Sequence, residues 1–369
     1  MAFQLPSKTE VENGTHHFLS RSWDLVVASP GVPSALLASA RARGIPVWGE
    51  LELGYRVLLP SGRWPAWSAA ITGTNGKTTT TALLGAIFKA SGRPTVVAGN
   101  IGVPLCAVVN GVTPPPPLFW KCRVISWKRG SVSPVRGAVL NVTPDHLARH
   151  KTLAAYAAAK FRMFQSQGVG DSAVLNAEDP WCRRLAPLVP GKIPLVRRSN
   201  LPSVGGAQKS SRPTQLGKRP RGRGLCPRPG CSTARHCQAL ATFRGVEHRL
   251  ELVRTWRGVR FINDSKATNV DSTRVALESF SKPLIVILGG QDKGAPYRPL
   301  VPLLRKKAKA VLLIGEAAGK IERDLFGQVP LVRCETLARA VDHAARTARP
   351  GDVVLLSPGV RFFRPIQQL

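Results

Sequence analysis

The stretch Ile71–Thr81, ITGTNGKTTTT, decides the fold. The apolar run Trp67–Ile71 predicts a buried strand, and Ala82–Phe88 continues beyond the quoted stretch as an apolar-rich helix. Gly73 and Gly76 place a turn between them in which backbone N–H groups converge. Strand, glycine turn, Lys-Thr and helix is the order that cradles phosphate groups. The amides and the helix N-terminus face negative oxygens, Lys77 reaches the terminal phosphates, and the Thr78 hydroxyl can ligate Mg²⁺. The spacing is shorter than in the usual GxxxxGK[ST] loop. Gly73, Thr74, Asn75, Gly76, Lys77, Thr78 and Thr79 are the candidate nucleotide contacts, and ATP is the expected nucleotide.

Before this loop, Leu25–Ala28 reads as a buried strand, Ser34–Arg43 as a short amphipathic helix and Ile45–Val47 as a second strand: βαβ material, but half a domain. After it come strands at Thr95–Ala98, Ala138–Val142 and Ser172–Asn176, with an Ala-rich helix over Tyr156–Gln165 that presents Lys160. The last third alternates regularly. GVEHRLE (Gly245–Glu251) leads to a strand at Val259–Ile262, then further strands follow at Leu284–Leu288, Ala310–Ile314 and Val353–Leu356 with helices between. Strands alternating with helices predict α/β domains with doubly wound parallel sheets.

The 369 residues carry a formal net charge of +32 and a pI near 11.2, a balance that ordinarily points to nucleic acid. The distribution argues otherwise. No acidic residue lies between Glu52 and Asp145, and none between Asp179 and Glu247, whereas elsewhere acids and bases are mixed. Two windows in these stretches, 112–136 and 197–238, lack any usable period and are rich in Arg, Pro, Gly and Ser. They also lack the aromatic platforms and basic helical faces of nucleic-acid binders. Cys226, Cys231, Cys237 and His236 fit no standard zinc spacing. No apolar run is long enough to span a membrane and the first residues contain no signal-peptide core, so a cytoplasmic, monomeric protein without nucleic-acid or membrane partners is expected.

The motifs together resemble the ATP-dependent Mur ligases. The carrying residues are SPGVP (Ser29–Pro33), GTNGKTTT (Gly73–Thr80), GNIG (Gly99–Gly102), NVTPDHL (Asn141–Leu147), AAK (Ala158–Lys160), GVEHRLE and NDSKATN (Asn263–Asn269). NDSKATN discriminates, and is similar to the members that add D-glutamate to UDP-N-acetylmuramoyl-L-alanine. The resemblance implies three α/β domains: 1–68 binding the UDP-substrate and truncated, 69–246 binding ATP in the centre, and 247–369 Rossmann-like. It implies phosphorylation of a substrate carboxylate to an acyl phosphate, which the D-glutamate amine then attacks. Lys77, His146 and Lys160 would be catalytic, with Lys160 carbamylated. Thr78, His146 and carbamylated Lys160 would hold Mg²⁺. Arg249 and Asp264 would contact the nucleotide, Lys266, Thr268 and Lys293 the D-glutamate, and Gly31 and Asn100 the UDP-sugar.

Three pieces of the family pattern are missing. The segment between GNIG and NVTPDHL should carry Glu-Val-Ser-Ser-(Phe/Tyr)-Gln-Leu, and reads WKCRVISWKR. The segment before GVEHRLE should carry Arg-His-Asn-x-x-Asn. After Ser357-Pro358 the family continues Ala-Cys-Ala-Ser-Phe-Asp, and here Gly359–Leu369 follow. The genetic code offers a reason. Moved back one base from the end of the Phe119 codon, the reading opens with forced Leu-Glu and permits the missing motif; moved forward one base in Arg212–Pro220, and likewise after Pro358, it permits the other two. Out-of-frame reading of a GC-rich gene also yields Arg, Pro, Gly and Ser with few acids. The expectation is a D-glutamate ligase impaired as written. A catalytically dead ATP-binding remnant and a basic nucleic-acid binder on a ligase-like frame stand as alternatives.

Overall fold

The computed structural model describes residues 21–29, 32, 35–58, 68–99, 101, 103–109, 118–121, 133–196, 239–281, 283–292, 294 and 296–360. The chain divides into two compact units, the first built mainly from residues 1–201 and the second from 236–369.

The first unit opens with a parallel pair, β1 (Val26–Ala28) and β2 (Val47–Gly49), joined through helix α1 (Ala38–Ala42). Helix α2 (Glu50–Leu58) follows where no element was expected, and Glu50 Oε1 accepts the Cys106 N–H at 2.7 Å. A six-stranded sheet comes next. Its elements are β3 (Ala69–Thr72), α3 (Lys77–Ala90), β4 (Val96–Gly99), α4 (Leu105–Val109), β5 (Leu118–Lys121), β6 (Arg136–Val139), α5 (Leu147–His150), α6 (Leu153–Phe161), β7 (Ser172–Asn176), α7 (Pro180–Leu185) and β8 (Leu195–Val196). The strands are all parallel, in the order β4-β5-β3-β6-β7-β8.

Strand β3 is buried throughout because both faces of the sheet are covered. Ala69 and Ile71 pack with Leu84 and Phe88 of α3 and with Phe119, while Ala70 joins a cluster containing Tyr156, Phe161 and Phe164 on the opposite face. The chain winds from β3 toward β4 and β5 on one side and toward β6 on the other. The carboxyl end of β3 therefore lies at a topological switch point, where open α/β sheets bind ligands.

Strand β5 corrects the reading of the window 112–136, part of which is a strand despite its lack of period. Neighbours on both sides set its register, Ile71 opposite Lys121 and Gly99 opposite Lys121. Arg136, at the end of the same window, begins β6. Residues 133–135 lead into it, and the rest of the two windows lies outside the described residues.

The second unit is a six-stranded sheet in the order β13-β12-β11-β14-β10-β9. It comprises β9 (Glu251–Trp256), β10 (Val259–Asn263), α8 (Val270–Glu278), β11 (Leu284–Gly289), α9 (Val301–Lys307), β12 (Ala308–Ile314), α10 (Ala318–Leu325), β13 (Leu331–Glu335), α11 (Leu337–Thr347) and β14 (Val353–Leu356). All pair in parallel except β9, an antiparallel edge strand. The β9–β10 turn puts Arg257 at φ 48° and Gly258 at φ 75°, the two positive values a tight hairpin requires. Every residue of β11 is buried, as its uninterrupted apolar sequence demands.

Candidate active site

The phosphate loop is shaped by two glycines and gripped by the strand next door. Gly76, at φ 83°, ends the loop in the left-handed region and is the N-cap of α3; a Cβ there would sit 3.2 Å from Leu140 Cδ1. Gly73 lies so close to the Leu140–Asn141 backbone that a Cβ would meet Leu140 Cβ at 3.1 Å. Beyond β6 the chain runs alongside the loop. Leu140 N–H donates to Thr72 O at 3.0 Å and Thr74 N–H to Asn141 O at 2.9 Å. The Asn141 side chain then treats Asn75 as a strand partner, accepting its N–H at 2.8 Å and donating to its carbonyl at 3.2 Å. Thr74 Oγ1 donates to Thr143 O at 3.2 Å and accepts Thr143 N–H at 3.0 Å. Lys77 Nζ donates to Gly73 O and Thr74 O at 2.7 and 2.6 Å, which keeps the ammonium at the loop. Thr78 and Thr79 stand in the first turn of α3, where backbone N–H groups have no carbonyl four residues back within the helix.

Lys160 is the unusual group of this unit. It is 1% exposed, near the end of α6, and its Nζ lies 4.1 Å from the centre of the Tyr156 ring. Burial, and then repulsion from Lys77, push its pKa down from 10.5 to about 6, against the pull of Asp145 and Cys182. At neutral pH the amine is therefore mostly uncharged. Tyr156 holds the platform in place. Its hydroxyl hydrogen-bonds Thr74, and burial pushes its pKa up to about 12. The rings of His146 and His150 stand 6.3 and 5.2 Å from it, centre to centre. His146 takes a left-handed φ of 55°, its N–H donates to Asp145 Oδ1 at 2.9 Å, and its half-exposed ring places Nε2 3.7 Å from Asp145 Oδ2.

Lys77, Asp145, His146 and Lys160 thus gather around Tyr156, at the carboxyl side of β3 and β6. The sequence motifs contained three of these as catalytic candidates. Tyr156 was read only as the start of a helix; its place four residues before Lys160, on the same helical face, was the available signal. Asp145 was likewise only a motif member.

A second cluster lies in the second unit. Asp264, 1% exposed after β10, accepts Ser357 Oγ–H at 3.0 Å and Leu250 N–H at 3.3 Å, with Arg249 Nη1 at 3.6 Å. Burial raises its pKa to about 6, with Arg249 and the two hydrogen bonds working the other way. Arg249 also donates to Lys266 O at 3.2 Å, Lys266 Nζ to Glu247 O at 2.9 Å, and Thr268 N–H to Lys266 O at 3.0 Å. Arg249, Asp264, Lys266 and Thr268 therefore form one connected loop cluster. Gly31, Asn100 and Lys293, named as substrate contacts, lie outside the described residues, as do Cys226, Cys231, His236 and Cys237. Among the described residues no group of three His, Cys, Asp or Glu side chains could hold a metal ion.

Residues 71–112 and 126–197 match the Mur ligase middle domain, and residues 248–360 the Mur ligase glutamate ligase domain. The chain belongs to the Mur ligase family. The matches skip 113–125 and 198–247, which overlap the two basic windows. A relative in Solibacter usitatus named UDP-N-acetylmuramoylalanine--D-glutamate ligase is 42% identical, over 92% of this chain and 80% of its own. One of the same name in Anaeromyxobacter dehalogenans is 43% identical, over 91% of this chain and 79% of its own. Among solved structures, the MurF ligase of Thermotoga maritima in complex with ADP shares the fold with a TM-score of 0.62, at 14% identity and 93% coverage of both chains. A bifunctional folylpolyglutamate synthase/dihydrofolate synthase of Yersinia pestis, complexed with AMPPNP and Mn, gives a TM-score of 0.58 at 15% identity, over 90% of this chain and 97% of its own.

Proposed function

We propose that this gene product is an ATP-dependent ligase that joins D-glutamate to UDP-N-acetylmuramoyl-L-alanine in the synthesis of the peptidoglycan precursor. The identity of about 40% over nine-tenths of the chain to ligases of that name carries the substrate assignment. The geometry supports ATP. A glycine loop at the sheet's switch point leads into the first turn of α3, with the Lys77 ammonium held at the loop.

The residues divide the work as follows. Gly73 to Gly76 wrap the phosphates, with the Thr74 and Asn75 N–H groups turned to Asn141, while the amides of Gly76, Lys77, Thr78 and Thr79 bind phosphate oxygens and Lys77 neutralises them. Lys160, mostly uncharged at neutral pH, would attack carbon dioxide as a free amine, forming an N–C bond and releasing one proton to solvent, so that a buried neutral amine becomes a carboxylate-like carbamate anion. Thr78, His146 and that carbamate would hold Mg²⁺, the hydroxyl and carbamate oxygens suiting a hard cation and His146 adding an imidazole nitrogen. The ion supplies neutralisation of charge on the transferring phosphoryl oxygens. Arg249 and Asp264 are nucleotide contacts by the family resemblance. The cations of Lys266 and Lys293, with the Thr268 hydroxyl, receive the carboxylates of D-glutamate. Gly31 and Asn100 contact the UDP-sugar. The enzyme works as a cytoplasmic monomer without nucleic acid; among the described residues no helix is long and apolar enough to cross a membrane.

The chain as written binds ATP but ligates poorly, because its sequence across Trp120–Arg129 replaces the motif whose Glu would ligate Mg²⁺. Phosphate release with UDP-N-acetylmuramoyl-L-alanine, with and without D-glutamate, tests this on the chain as written and on one with the three frames restored and the half-domain 1–68 completed by a βα unit. Comparable activity of the two would refute the impairment. A folded, ATP-binding but inactive restored chain would refute the D-glutamate assignment.

A further inference from the structure

Asp179 bonds to Val142 and Cys182, neither of them named above as touching nucleotide, yet it holds the segment that holds the phosphate loop. It is 7% exposed, and its two carboxylate oxygens do different work. Oδ1 accepts Cys182 N–H at 2.9 Å and so caps helix α7. Oδ2 accepts Val142 N–H at 2.8 Å. Val142 lies between Asn141, whose side chain pairs both backbone groups of Asn75, and Thr143, whose backbone pairs both functions of the Thr74 hydroxyl. Asn176, at the end of β7, adds a bond from Nδ2 to Leu140 O at 3.0 Å. The turn Asn176–Asp179 thus fixes Leu140 and Val142 from behind, and residues 141 and 143 fix Thr74 and Asn75 in front.

We infer that Asp179 is a positioning residue for nucleotide binding, acting through Val142 on the shape of the phosphate loop. The inference rests on the proposed binding of ATP at that loop. A loop that binds phosphate with backbone amides needs those amides aimed before the ligand arrives. Asn75 N–H is tied to Asn141 and Thr74 N–H to the Asn141 carbonyl, so the aim of the loop depends on where residues 141–143 sit. Val142 is buried, and without Oδ2 its amide has no acceptor in the arrangement described. The segment then shifts to find one, and the loop moves with it.

The two oxygens allow the two roles to be separated. Asp179→Ser keeps a side-chain oxygen that can cap α7 but is too short to reach Val142 as well. Thr336→Ala, which removes the cap of α11 from Arg339 N–H in the second unit, serves as a control for lost stability alone. The measurement is the Kd for AMPPNP with Mg²⁺ on the full chain, alongside Tm for each variant. The expected result is a Kd about tenfold weaker or more for Asp179→Ser, from the loss of one charge-assisted hydrogen bond, and an unchanged Kd for Thr336→Ala. Asn141→Ala should weaken binding similarly, and the double variant should be no weaker than Asn141→Ala alone, because both act through one segment. An unchanged Kd for Asp179→Ser, or full additivity with Asn141→Ala, overturns the inference. Failure of the parent chain to bind AMPPNP would instead overturn the ATP reading and this inference with it.

Discussion

Lys160 gives a prediction whose size follows from where the side chain sits. An amine must be uncharged to attack carbon dioxide. With an ordinary pKa of 10.5, about 0.1% of a lysine is neutral at pH 7.5; with the pKa near 6 it is roughly 97% neutral, close to a thousandfold gain in reactive amine. The shift amounts to about 6 kcal/mol against the charged form, most of it from burial and the next part from Lys77. Carbamylation reverses the sign of the second effect, since Lys77 then attracts what it had repelled. The perturbation is ¹³C-bicarbonate added to the folded chain, and the assay is the ¹³C NMR difference between the parent and Lys160→Met. A carbamate resonance should be present at pH 7.5 in the parent, absent from Lys160→Met, and lost as pH falls through about 6. Identical spectra for two folded proteins at pH 7.5 would refute the reasoning. In a chain with restored frames, Lys160→Ala should lose ligation and regain part of it with added short carboxylic acids.

Stability against pH should carry the signatures of both buried ionisable groups. Lys160 has a folded pKa far below its unfolded value, so the unfolded chain binds more protons between about pH 6 and 10.5; its contribution to stability rises with pH across that window, and Lys160→Met should flatten the rise in a denaturant-midpoint series. Asp264 is the converse for an acid, with a folded pKa raised from 3.8 to about 6; stability falls as pH rises through that interval, and Asp264→Asn should remove the fall. Gly76→Ala forces a Cβ onto a left-handed residue 3.2 Å from Leu140 and should lower stability by about 1 kcal/mol or more, read from chemical denaturation. Lys77→Ala should abolish measurable AMPPNP binding while leaving Tm within a few degrees, because the hydrogen bonds of its ammonium to Gly73 O and Thr74 O stay within the loop.

The parallel core was legible because sheets covered on both faces write themselves as apolar runs. Ser172–Asn176 and Val353–Leu356 are strands at the predicted residues, and Leu284–Leu288 needed one more. Edge and partly exposed elements were not legible. Strand β9 reads ELVRTW with four exposed residues in succession, a pattern that no core imposes, and only the Arg257-Gly258 turn marks it. Helix α2 was missed although Leu51 and Tyr55 recur at helical spacing and join the cluster that contains Leu105, because Gly54 interrupts the segment. At the site, motif residues carried their own signal: Lys77 is close enough to Lys160 to repel it, and the rings of His146 and Tyr156 stand 6.3 Å apart, centre to centre. The supporting residues carried none. Asp179 looked like an ordinary turn acid and Tyr156 like a helix start, because what each does is defined by a hydrogen bond or a ring contact to a distant segment.

The register of β5 bears on why the written sequence matters more than its length. Position 121 pairs with Ile71 and Gly99, so it closes the carboxyl end of β5 one residue short of where β3 turns into the phosphate loop. The alternative reading frame encodes Glu across the Trp120 and Lys121 codons, at that same end of the sheet. As written, the position carries Lys, while at the loop Lys77 and Asp145 act in opposite directions on the buried Lys160. On the proposed function, polyphosphate and Mg²⁺ meet at this end of the sheet, and a Lys at position 121 adds no oxygen ligand for the cation. Lys121→Glu alone should therefore strengthen Mg²⁺-dependent AMPPNP binding relative to Mg²⁺-free binding, measured as the ratio of the two Kd values. Restoring the whole Trp120–Arg129 frame should do so at least as strongly. An unchanged ratio in both would show that the carboxyl end of β5 contributes no ligand, and that the deficit of the written chain must be sought elsewhere.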